Sequence, residues 1–284
     1  MLLVVLPYVA CNLVLEAHWW TTHELPVAIW SIGASLLLGL VVLKLRAATP
    51  MAALTGFAIT ASLMFSTASF PYEPWRTALI PVLAVAALAQ IATRIGRAKK
   101  EKMGLAEKRR GRSASQVAAN LGAAALVSSE FAQSLILDSR GLARFHLTSS
   151  AVIALGLAAL SEAAADTVSS ELGQVLSRHP RMITTLKKVS PGIDGAISVP
   201  GTFLGIAAAA LVAATGAWAT RLHPSFFFLC WLGGVFGLLF DSLLGATLER
   251  KGGLNNDAVN FLSTVSAVAL AFLALLVFAA RHHA

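Results

Sequence analysis

The chain has 284 residues, of which 57% are apolar and only 13% are charged. Soluble domains carry about 25% charged residues, so this composition argues against an ordinary soluble enzyme. A membrane crossing takes roughly 20 apolar residues, and the chain holds enough of them for about eight crossings. We therefore predict an all-α protein, a polytopic bundle of transmembrane helices.

Eight apolar stretches along the chain are long enough to cross a bilayer. They cover residues 26–45, 51–69, 77–95, 116–137, 146–165, 199–220, 225–247 and 258–280. Residues 1–15 form a ninth apolar segment, which we interpret as either a short first span or a helix at the membrane interface. The pattern divides the chain into N-terminal helices (1–93), a basic loop (94–112) and a catalytic-type transmembrane domain (113–284).

Basic residues are concentrated in the loop 94–112. It contains nine basic and two acidic residues, a net charge of +7 in a chain whose total is +8. Short loops rich in Lys and Arg stay in the cytoplasm, so this loop predicts the orientation of the whole chain. Lys44, the Lys187–Lys188 pair and Arg250 then fall on the cytoplasmic side too. We expect a multi-pass protein of a prokaryotic cell membrane whose motif loops face the cytoplasm.

The C-terminal end of this loop allows two interpretations. A solvated basic loop that orients the chain and touches anionic lipids would account for it. Alternatively Arg109, Arg110 and Arg112, which come just before Ser113, bind phosphate where a helix begins. The planar guanidinium group can hold two phosphate oxygens at once, which suits it to that role.

A first polar cluster lies at the end of an apolar stretch. Acidic residues close to a bilayer are energetically costly and are therefore functional candidates by default. At helical spacing Glu162, Asp166, Ser169 and Ser170 share one face, and Glu171 follows directly. Carboxylate and hydroxyl oxygens gathered on one face predict a site for a hard cation such as Mg²⁺.

A glycine-rich turn follows the two lysines at positions 187 and 188. In Pro191-Gly192-Ile193-Asp194-Gly195, two glycines flank an aspartate, which suits a tight turn whose backbone N–H groups approach an anion. The alternative is an ordinary turn between an amphipathic segment and the next span. Further along, Gly201 and Gly205, like Gly233 and Gly237, have the spacing that lets helices pack closely.

Asp241 lies inside an apolar stretch, where an unpaired carboxylate needs a cation, a metal ion or a proton. At the start of the last span, Asn256 lies four residues and Asp257 three residues before Asn260, so each is near Asn260 on a helix. Asn255 or Asn256 could instead serve as the N-cap of that helix.

The predicted topology brings residues 109–122, 162–202 and 241–260 to the same cytoplasmic face, where they can share one site. Together they offer four or five carboxylates, several Arg and Lys residues, and hydroxyl-rich turns beside a lipid-facing bundle. This combination suits a metal-bound nucleotide from the cytosol that meets a phosphate head group on a lipid tail.

Four motifs, in this order, resemble the signature of one membrane family. They are Arg112-Ser113-Ala114-Ser115-Gln116-Val117-Ala118-Ala119-Asn120, Ala165-Asp166-Thr167-Val168-Ser169-Ser170-Glu171-Leu172-Gly173, Pro191-Gly192-x-Asp194-Gly195 and Asn256-Asp257-x-x-Asn260-Phe261. The family is the domain-of-unknown-function 92 family of integral membrane proteins, which includes transmembrane protein 19 and the plant phytyl-phosphate kinases. The chain departs from the family pattern at Ile193, where Thr is usual. A looser likeness, around Asp166 and Asp241, is to CTP-using membrane enzymes such as dolichol kinase.

The resemblance implies CTP-dependent phosphorylation of an isoprenoid (phytyl or prenyl) monophosphate to its diphosphate. The catalytic role is assigned to Asp166, Glu171, Asp241 and Asp257, of which Asp166, Asp241 and Asp257 would bind Mg²⁺ together with CTP. The residues assigned to substrate and nucleotide binding are Arg112, Ser113, Asn120, Ser169, Ser170, Lys187, Lys188, Asp194, Asn256 and Asn260. The expected partners are the isoprenoid monophosphate, the nucleoside triphosphate and membrane lipids, without nucleic acid. A second copy of the chain is a further candidate partner, in a homodimer.

Three other functions fit parts of the pattern. A cytidylyltransferase would make a CDP-linked lipid from the same two substrates and release pyrophosphate rather than CDP. An ion-coupled transporter also uses intramembrane acids and glycine-interrupted helices, but the sequence has no visible repeat of two halves, and its polar residues gather at one face. A non-catalytic membrane organiser would leave the clustered acids unexplained.

Overall fold

The computed structural model describes residues 2–106 and 110–282. Arg109, part of the predicted phosphate-binding run, lies outside the described residues. The described part of the chain forms eleven α-helices, a 3-10 helix, a π-helix and one two-stranded hairpin. The predicted all-α helix bundle is confirmed.

The helices are α1 (Leu2–His23), α2 (Leu25–Lys44), α3 (Pro50–Ser66), α4 (Leu79–Arg94), α5 (Arg97–Lys102), α6 (Ala114–Ser128), α7 (Glu130–Leu137), α8 (Ser149–Leu176), α9 (Val199–Ala219), α10 (Ser225–Leu244) and α11 (Asn256–His282). The 3-10 helix covers Ala143–Phe145, and the π-helix, Gly245–Glu249, continues α10. Strands β1 (Arg181–Met182) and β2 (Ala196–Ile197) pair antiparallel between α8 and α9.

Six helices in the described ranges are long and apolar enough to cross a membrane: α1, α2, α8, α9, α10 with its π-helical end, and α11. Helices α3 and α4 are apolar but shorter, with 17 and 16 residues. The apolar segment at residues 1–15 belongs to a longer helix than predicted, since α1 continues to His23. The number of eight spans remains a prediction.

The stretch predicted as one span over residues 116–137 forms two helices. Helix α6 ends at Ser128 and α7 begins at Glu130, because Ser129 between them adopts extended backbone angles (φ −62°, ψ 152°). The Ser129 hydroxyl accepts a hydrogen bond from the backbone N–H of Ala132 at 3.3 Å and so caps α7. The prediction of one continuous helix was wrong because a cap within an apolar stretch does not change its hydropathy.

Helix α8 is central, and α4, α6, α9, α10 and α11 pack around it. Its many alanines have small side chains, which let neighbouring backbones come close. A Cβ atom on Gly205 of α9 would lie 2.7 Å from the carbonyl oxygen of Ala165, and one on Gly201 would lie 2.6 Å from that of Ser169. The second predicted glycine pair, on α10, faces α8 and α11 in the same way. The predicted close helix packing at these glycines is confirmed.

One end of the bundle gathers the polar segments, and we refer to it as the cavity end. Helices α8 and α10 finish there, while α6, α9 and α11 begin there. The short helix α5 lies at the same end, since Lys99 Nζ donates a hydrogen bond to the carbonyl oxygen of Val175 at 2.6 Å. The described residues of 109–122, 162–202 and 241–260 therefore meet as predicted, while their side of the membrane stays a prediction.

Candidate functional site

A polar cavity of about 250 Å³ opens at the cavity end between α6, α8, α10, α11 and the loop that precedes α9. Ten of the fourteen predicted site residues line it: Arg112, Asn120, Asp166, Ser169, Ser170, Glu171, Asp194, Asp241, Asn256 and Asn260. The other four, Ser113, Lys187, Lys188 and Asp257, are not among its lining residues. The fold thus brings together most of the residues that the sequence singled out.

Helix α8 supplies one wall of the cavity. Asp166, Ser169, Ser170 and Gly173 all line it. Ser169, Ser170 and Gly173 follow Asp166 by three, four and seven residues, so all four lie on one side of the helix. Leu172, on another face of the same helix, is buried in the core. The shared face predicted from the spacing is therefore the face that the cavity exposes.

Two carboxyl groups from different helices meet in the cavity. Asp166 of α8 and Asp241 of α10 are close enough for their side chains to interact directly. The guanidinium group of Arg112 interacts electrostatically with the Asp166 carboxylate. The Oδ2 atom of Asp241 is buried and has no hydrogen-bond partner among the described residues. A buried carboxylate oxygen is costly unless a cation or a proton compensates for it. This pair is therefore suited to hold a cation.

Arg112 is fixed in place through its backbone. Its N–H donates to the carbonyl oxygen of Ala47 at 2.9 Å, and its own carbonyl oxygen accepts from the N–H of Thr49 at 3.0 Å. The preceding residue, Gly111, allows this approach, because its φ is +76° and a Cβ atom there would collide with the Ala47 carbonyl group. The link between α2 and α3 thus holds the arginine whose side chain lines the cavity.

Helix α6 begins with a capping box. The Ser113 hydroxyl accepts from the N–H of Gln116 at 3.2 Å, and Gln116 Oε1 accepts from the N–H of Ser113 at 2.7 Å. Ser113 therefore caps the helix instead of lining the cavity, whereas Gln116, which the sequence did not assign to the site, does line it. Asn120 accepts a hydrogen bond from Asn260 Nδ2 at 3.5 Å, which connects α6 to α11.

Glu171 lines the cavity, but its carboxylate already has partners. One oxygen accepts from Lys100 Nζ at 2.5 Å and the other from the hydroxyl of Thr93 at 3.1 Å. Lys100 is only 1% exposed, and its ammonium group also donates to the carbonyl oxygen of Ala92 at 2.9 Å. Glu171 thus neutralises a buried lysine and fixes α4 and α5 against α8, a role different from the catalytic one predicted for it.

The glycine-rich turn at residues 191–195 forms as predicted. Gly192 and Gly195 both have positive φ angles, +83° and +76°. Asp194 between them is exposed and lines the cavity. A Cβ atom on Gly195 would collide with Ala246, so this turn packs directly against the π-helix that ends α10.

Lys187 and Lys188 do not line the cavity. Both are exposed in the hairpin between α8 and α9, where the Lys187 carbonyl oxygen accepts from the N–H of Met182 at 2.9 Å. Proximity in sequence to the glycine-rich turn favoured a phosphate-binding role for them. The hairpin, which hydropathy does not predict, carries them beyond the cavity wall.

Asp257 lies in the first turn of α11 and is half-buried, but it does not line the cavity. Asn256 and Asn260, four residues apart, share the face that does, and the residue after Asn256 is rotated from that face by about 100°. Asn255 is the residue that caps this helix, since its Oδ1 accepts from the N–H of Ala258 at 2.9 Å. The predicted set of three carboxylate metal ligands is therefore not brought together.

Two further acidic residues, outside the fourteen assigned to catalysis or binding, lie in or beneath the cavity, and one of them, Glu162, was predicted to share the cation-binding face. Glu249 lines the cavity from the π-helix, whose wider turn keeps it on the same side as Asp241, eight residues earlier. Glu162 lies one turn deeper than Asp166, is 1% exposed and has an oxygen, Oε1, without a hydrogen-bond partner in the described ranges. Its spacing of four from Asp166 is the signal that places it beneath the site.

The donor set fits magnesium only in combination with a phosphate ligand. No group of three or more His, Cys, Asp or Glu side chains in the described part of the chain is arranged to hold a metal ion. Mg²⁺ is usually bound by one or two carboxylates and completes its coordination with water and substrate phosphates. Asp166 and Asp241, with the unpartnered Oδ2 of the latter, fit that pattern.

The charges of the cavity point to the same kind of ligand. Its lining carries one arginine and five carboxylates, those of Asp166, Glu171, Asp194, Asp241 and Glu249. An excess of negative charge repels a bare anion but attracts a polyphosphate that is already bound to a divalent cation. The hydroxyl and amide groups on the same walls can position the ligand by hydrogen bonds.

The fold and the cavity together define a multi-pass helical membrane protein with an acid-rich cavity at one end of its bundle. Residues 33–268 match the family model of the integral membrane protein DUF92, and the chain belongs to this family. The family resemblance found in the four sequence motifs is thereby confirmed. No solved structure matches the chain.

Three relatives show how far the similarity extends. An uncharacterized membrane protein of Methanocaldococcus jannaschii, MJ0933, is 42% identical over 111 residues, 38% of this chain and 45% of the relative. An uncharacterized membrane protein of Synechocystis, sll0875, is 33% identical over 199 residues, 69% of this chain and 73% of the relative. The protein VTE6, chloroplastic, of Arabidopsis thaliana is 32% identical over 186 residues, 64% of this chain and 54% of the relative. The chain therefore spans less than two thirds of two of these relatives.

Proposed function

We propose that this protein is an integral-membrane kinase that transfers the γ-phosphoryl group of CTP to an isoprenoid monophosphate, such as phytyl or prenyl phosphate, and so makes the diphosphate. The observation that carries the proposal is the meeting of Asp166, Asp241 and Arg112 in one cavity at the end of a lipid-facing bundle. Membership of a family that includes the plant phytyl-phosphate kinases supports it.

The proposed reaction needs charge neutralisation and alignment. An oxygen of the lipid monophosphate attacks the γ-phosphorus, the bond from that phosphorus to the bridging oxygen breaks, and CDP leaves with the bond's electron pair. Because the attacking oxygen is already anionic at neutral pH, no general base is required. Mg²⁺, held by Asp166 and Asp241, would supply charge neutralisation for the nucleotide phosphates.

Arg112 is placed to bind the phosphate of the lipid. Its backbone is fixed to the link between α2 and α3, and its guanidinium group can hold two phosphate oxygens. Ser169 and Ser170 on α8, and Asn256 and Asn260 on α11, offer hydroxyl and amide groups that would orient the nucleotide. In this proposal the cavity end faces the cytoplasm of a prokaryotic cell, which supplies the nucleotide.

The test is a product analysis with purified protein in lipid-supplemented detergent and Mg²⁺. Geranylgeranyl or phytyl monophosphate is supplied with CTP and, in parallel, with ATP, and the lipid and nucleotide products are identified by mass spectrometry. We expect a lipid diphosphate and an equal amount of CDP. The Asp166→Asn variant should give far less of both, whereas Asp138→Asn, at an exposed carboxylate after α7, should match the wild type.

The other outcomes of this experiment identify the rival functions. A CDP-linked lipid with release of pyrophosphate would make the protein a cytidylyltransferase. No product from either nucleotide would contradict the kinase, and ion-driven uptake of a labelled substrate into proteoliposomes would then establish a transporter.

A further inference from the structure

A second cavity, of about 120 Å³, adjoins the polar one and has a different character. Its walls are mostly apolar, and they come from α2, α3 and α4, with α6 and α8 behind them. Leu38 and Gly39 of α2 form one side, and Val82, Val85 and Ala86 of α4 form the other. We call this cavity the apolar groove.

The apolar groove extends along the helices, away from the cavity end. On α3 its lining begins at Ala52, near the start of the helix, and continues to Thr60. The eight steps from Ala52 to Thr60 correspond to about 12 Å at the α-helical rise of 1.5 Å per residue. The groove is therefore long and narrow, parallel to the direction in which a lipid chain lies in a bilayer.

The two cavities share part of their walls. Arg112, Gln116, Asn120 and Thr167 line both the polar cavity and the apolar groove. A ligand that occupied both would place a charged group beside the arginine and an apolar group between α2 and α4. This is the geometry expected for an amphiphile with an anionic head and a hydrocarbon chain.

We infer that the apolar groove binds the hydrocarbon chain of the lipid monophosphate, with the phosphate at Arg112 and the chain between α2 and α4. The inference rests on the proposed function, because it takes the acceptor to be a lipid phosphate. The groove walls are built from Leu, Val, Ala and Gly, which accept a flexible isoprenoid chain by burial of apolar surface. The occupant is thus the acceptor itself, and a bilayer phospholipid is the alternative that the test must exclude.

The groove can be blocked by one residue and compared with an adjacent position on the same helix. Ala86 lines the groove, while Ala87, one position further along α4, is exposed on the outer surface and does not line it. Ala86→Phe should fill the groove, and Ala87→Phe should add the same side chain to the lipid-facing surface. Gly56→Val is a second blocking variant, since a Cβ atom there meets only Val117 Cγ1 at 3.9 Å.

The experiment is photolabelling in nanodiscs with geranylgeranyl monophosphate that carries a diazirine in its second isoprene unit. We expect labelled residues on the walls formed by α2, α3 and α4, and at least tenfold less labelling after excess unlabelled geranylgeranyl monophosphate. Inorganic phosphate and the phospholipid of the nanodisc should not compete. Ala86→Phe and Gly56→Val should lose about tenfold of the labelling, and Ala87→Phe should keep it.

Three results would overturn the inference: labels confined to the outer surface, labelling that unlabelled geranylgeranyl monophosphate does not reduce, or labelling in folded Ala86→Phe and Gly56→Val protein at the wild-type level. Thermal unfolding midpoints identify which variants are folded. The outcome is separable from the test of the kinase. If the groove is labelled competitively but the protein makes no diphosphate, the lipid-chain site stands and the kinase reaction is rejected. If the protein makes diphosphate but the groove is not labelled, the kinase reaction stands and the lipid-chain site is rejected.

Discussion

The helices before the basic loop and those after it differ in what they contribute. Every residue that lines the polar cavity lies between Arg112 and Asn260, whereas the two facing sides of the apolar groove come from α2 and α4. The chemistry of the site and the space beside it therefore belong to different parts of the chain. Motifs mark the first part because carboxylates and amides must be specific residues, while an apolar wall can be built from many.

Among the contacts between the two parts, two hold residues of the polar cavity, and sequence motifs reveal neither. One is the pair of backbone hydrogen bonds from Arg112 to the link between α2 and α3. The other is the ion pair between Lys100 and Glu171. If the later helices supply the reactive residues and the earlier helices supply the apolar groove, substitutions in the two parts should have different effects. Substitutions at the two contacts between the parts should differ from both.

The largest effect is expected in the polar cavity. Asp166→Asn or Asp241→Asn removes a carboxylate that would hold the metal, and turnover should fall by about 1000-fold. Asp257→Asn, outside the cavity wall, should lose about tenfold or less. The measurement is the rate of CDP release by detergent-solubilised protein. A loss at Asp257 equal to that at Asp166 would show that Asp257 reaches the metal after all.

The ion pair between the two parts should dominate stability. Glu171→Gln leaves the Lys100 ammonium buried without a counter-charge, and the free energy of unfolding should drop by about 3 kcal/mol. The double variant Lys100→Met/Glu171→Gln should recover most of that loss, because no buried charge remains. Chemical denaturation in detergent, read by tryptophan fluorescence, gives the values. Lys100→Met alone is measured as well. If the losses in free energy of unfolding from the two single substitutions add up to the loss in the double variant, the ion pair itself does not contribute to stability.

The backbone joint at Arg112 should have a smaller effect on stability, with a specific loss of activity. Gly111→Ala forces a Cβ atom into the Ala47 carbonyl group and should cost about 2 kcal/mol. Gly104→Ala is the matched control, because that glycine also has a positive φ, +73°, but has no atom within 4 Å of a Cβ position. A rise in KM for the lipid monophosphate in Gly111→Ala alone would show that the joint positions Arg112.

The smallest effect is expected at the exposed lysines of the hairpin. Lys187→Gln and Lys188→Gln should change turnover by less than about twofold, since surface substitutions usually alter energies by only about 0.5 kcal/mol. The initial rate at saturating CTP is the measurement. A tenfold loss would mean that the hairpin folds over the bound nucleotide, and the separation of roles described above would then need revision.

Much of the fold and the site could be predicted from the sequence. Hydropathy gave the helical bundle, and helical spacing gave the face of Asp166, Ser169 and Ser170, because both depend on regular periodicity. The break at Ser129 and the rotation of Asp257 away from the cavity were missed, since each depends on where a helix begins. The partner of Glu171 was missed because Lys100 is 71 residues away, a distance over which no local pattern operates.

The burial of Lys100 also has a consequence for proteases. Trypsin cleaves after lysine, and in an unfolded chain it would cut after Lys99, Lys100 and Lys102 alike. In the assembled bundle Lys100 is 1% exposed and held by Glu171, while Lys102 at the end of α5 remains accessible. The pattern of tryptic fragments from intact membranes therefore reports, without any substrate, whether the two parts of the chain have come together.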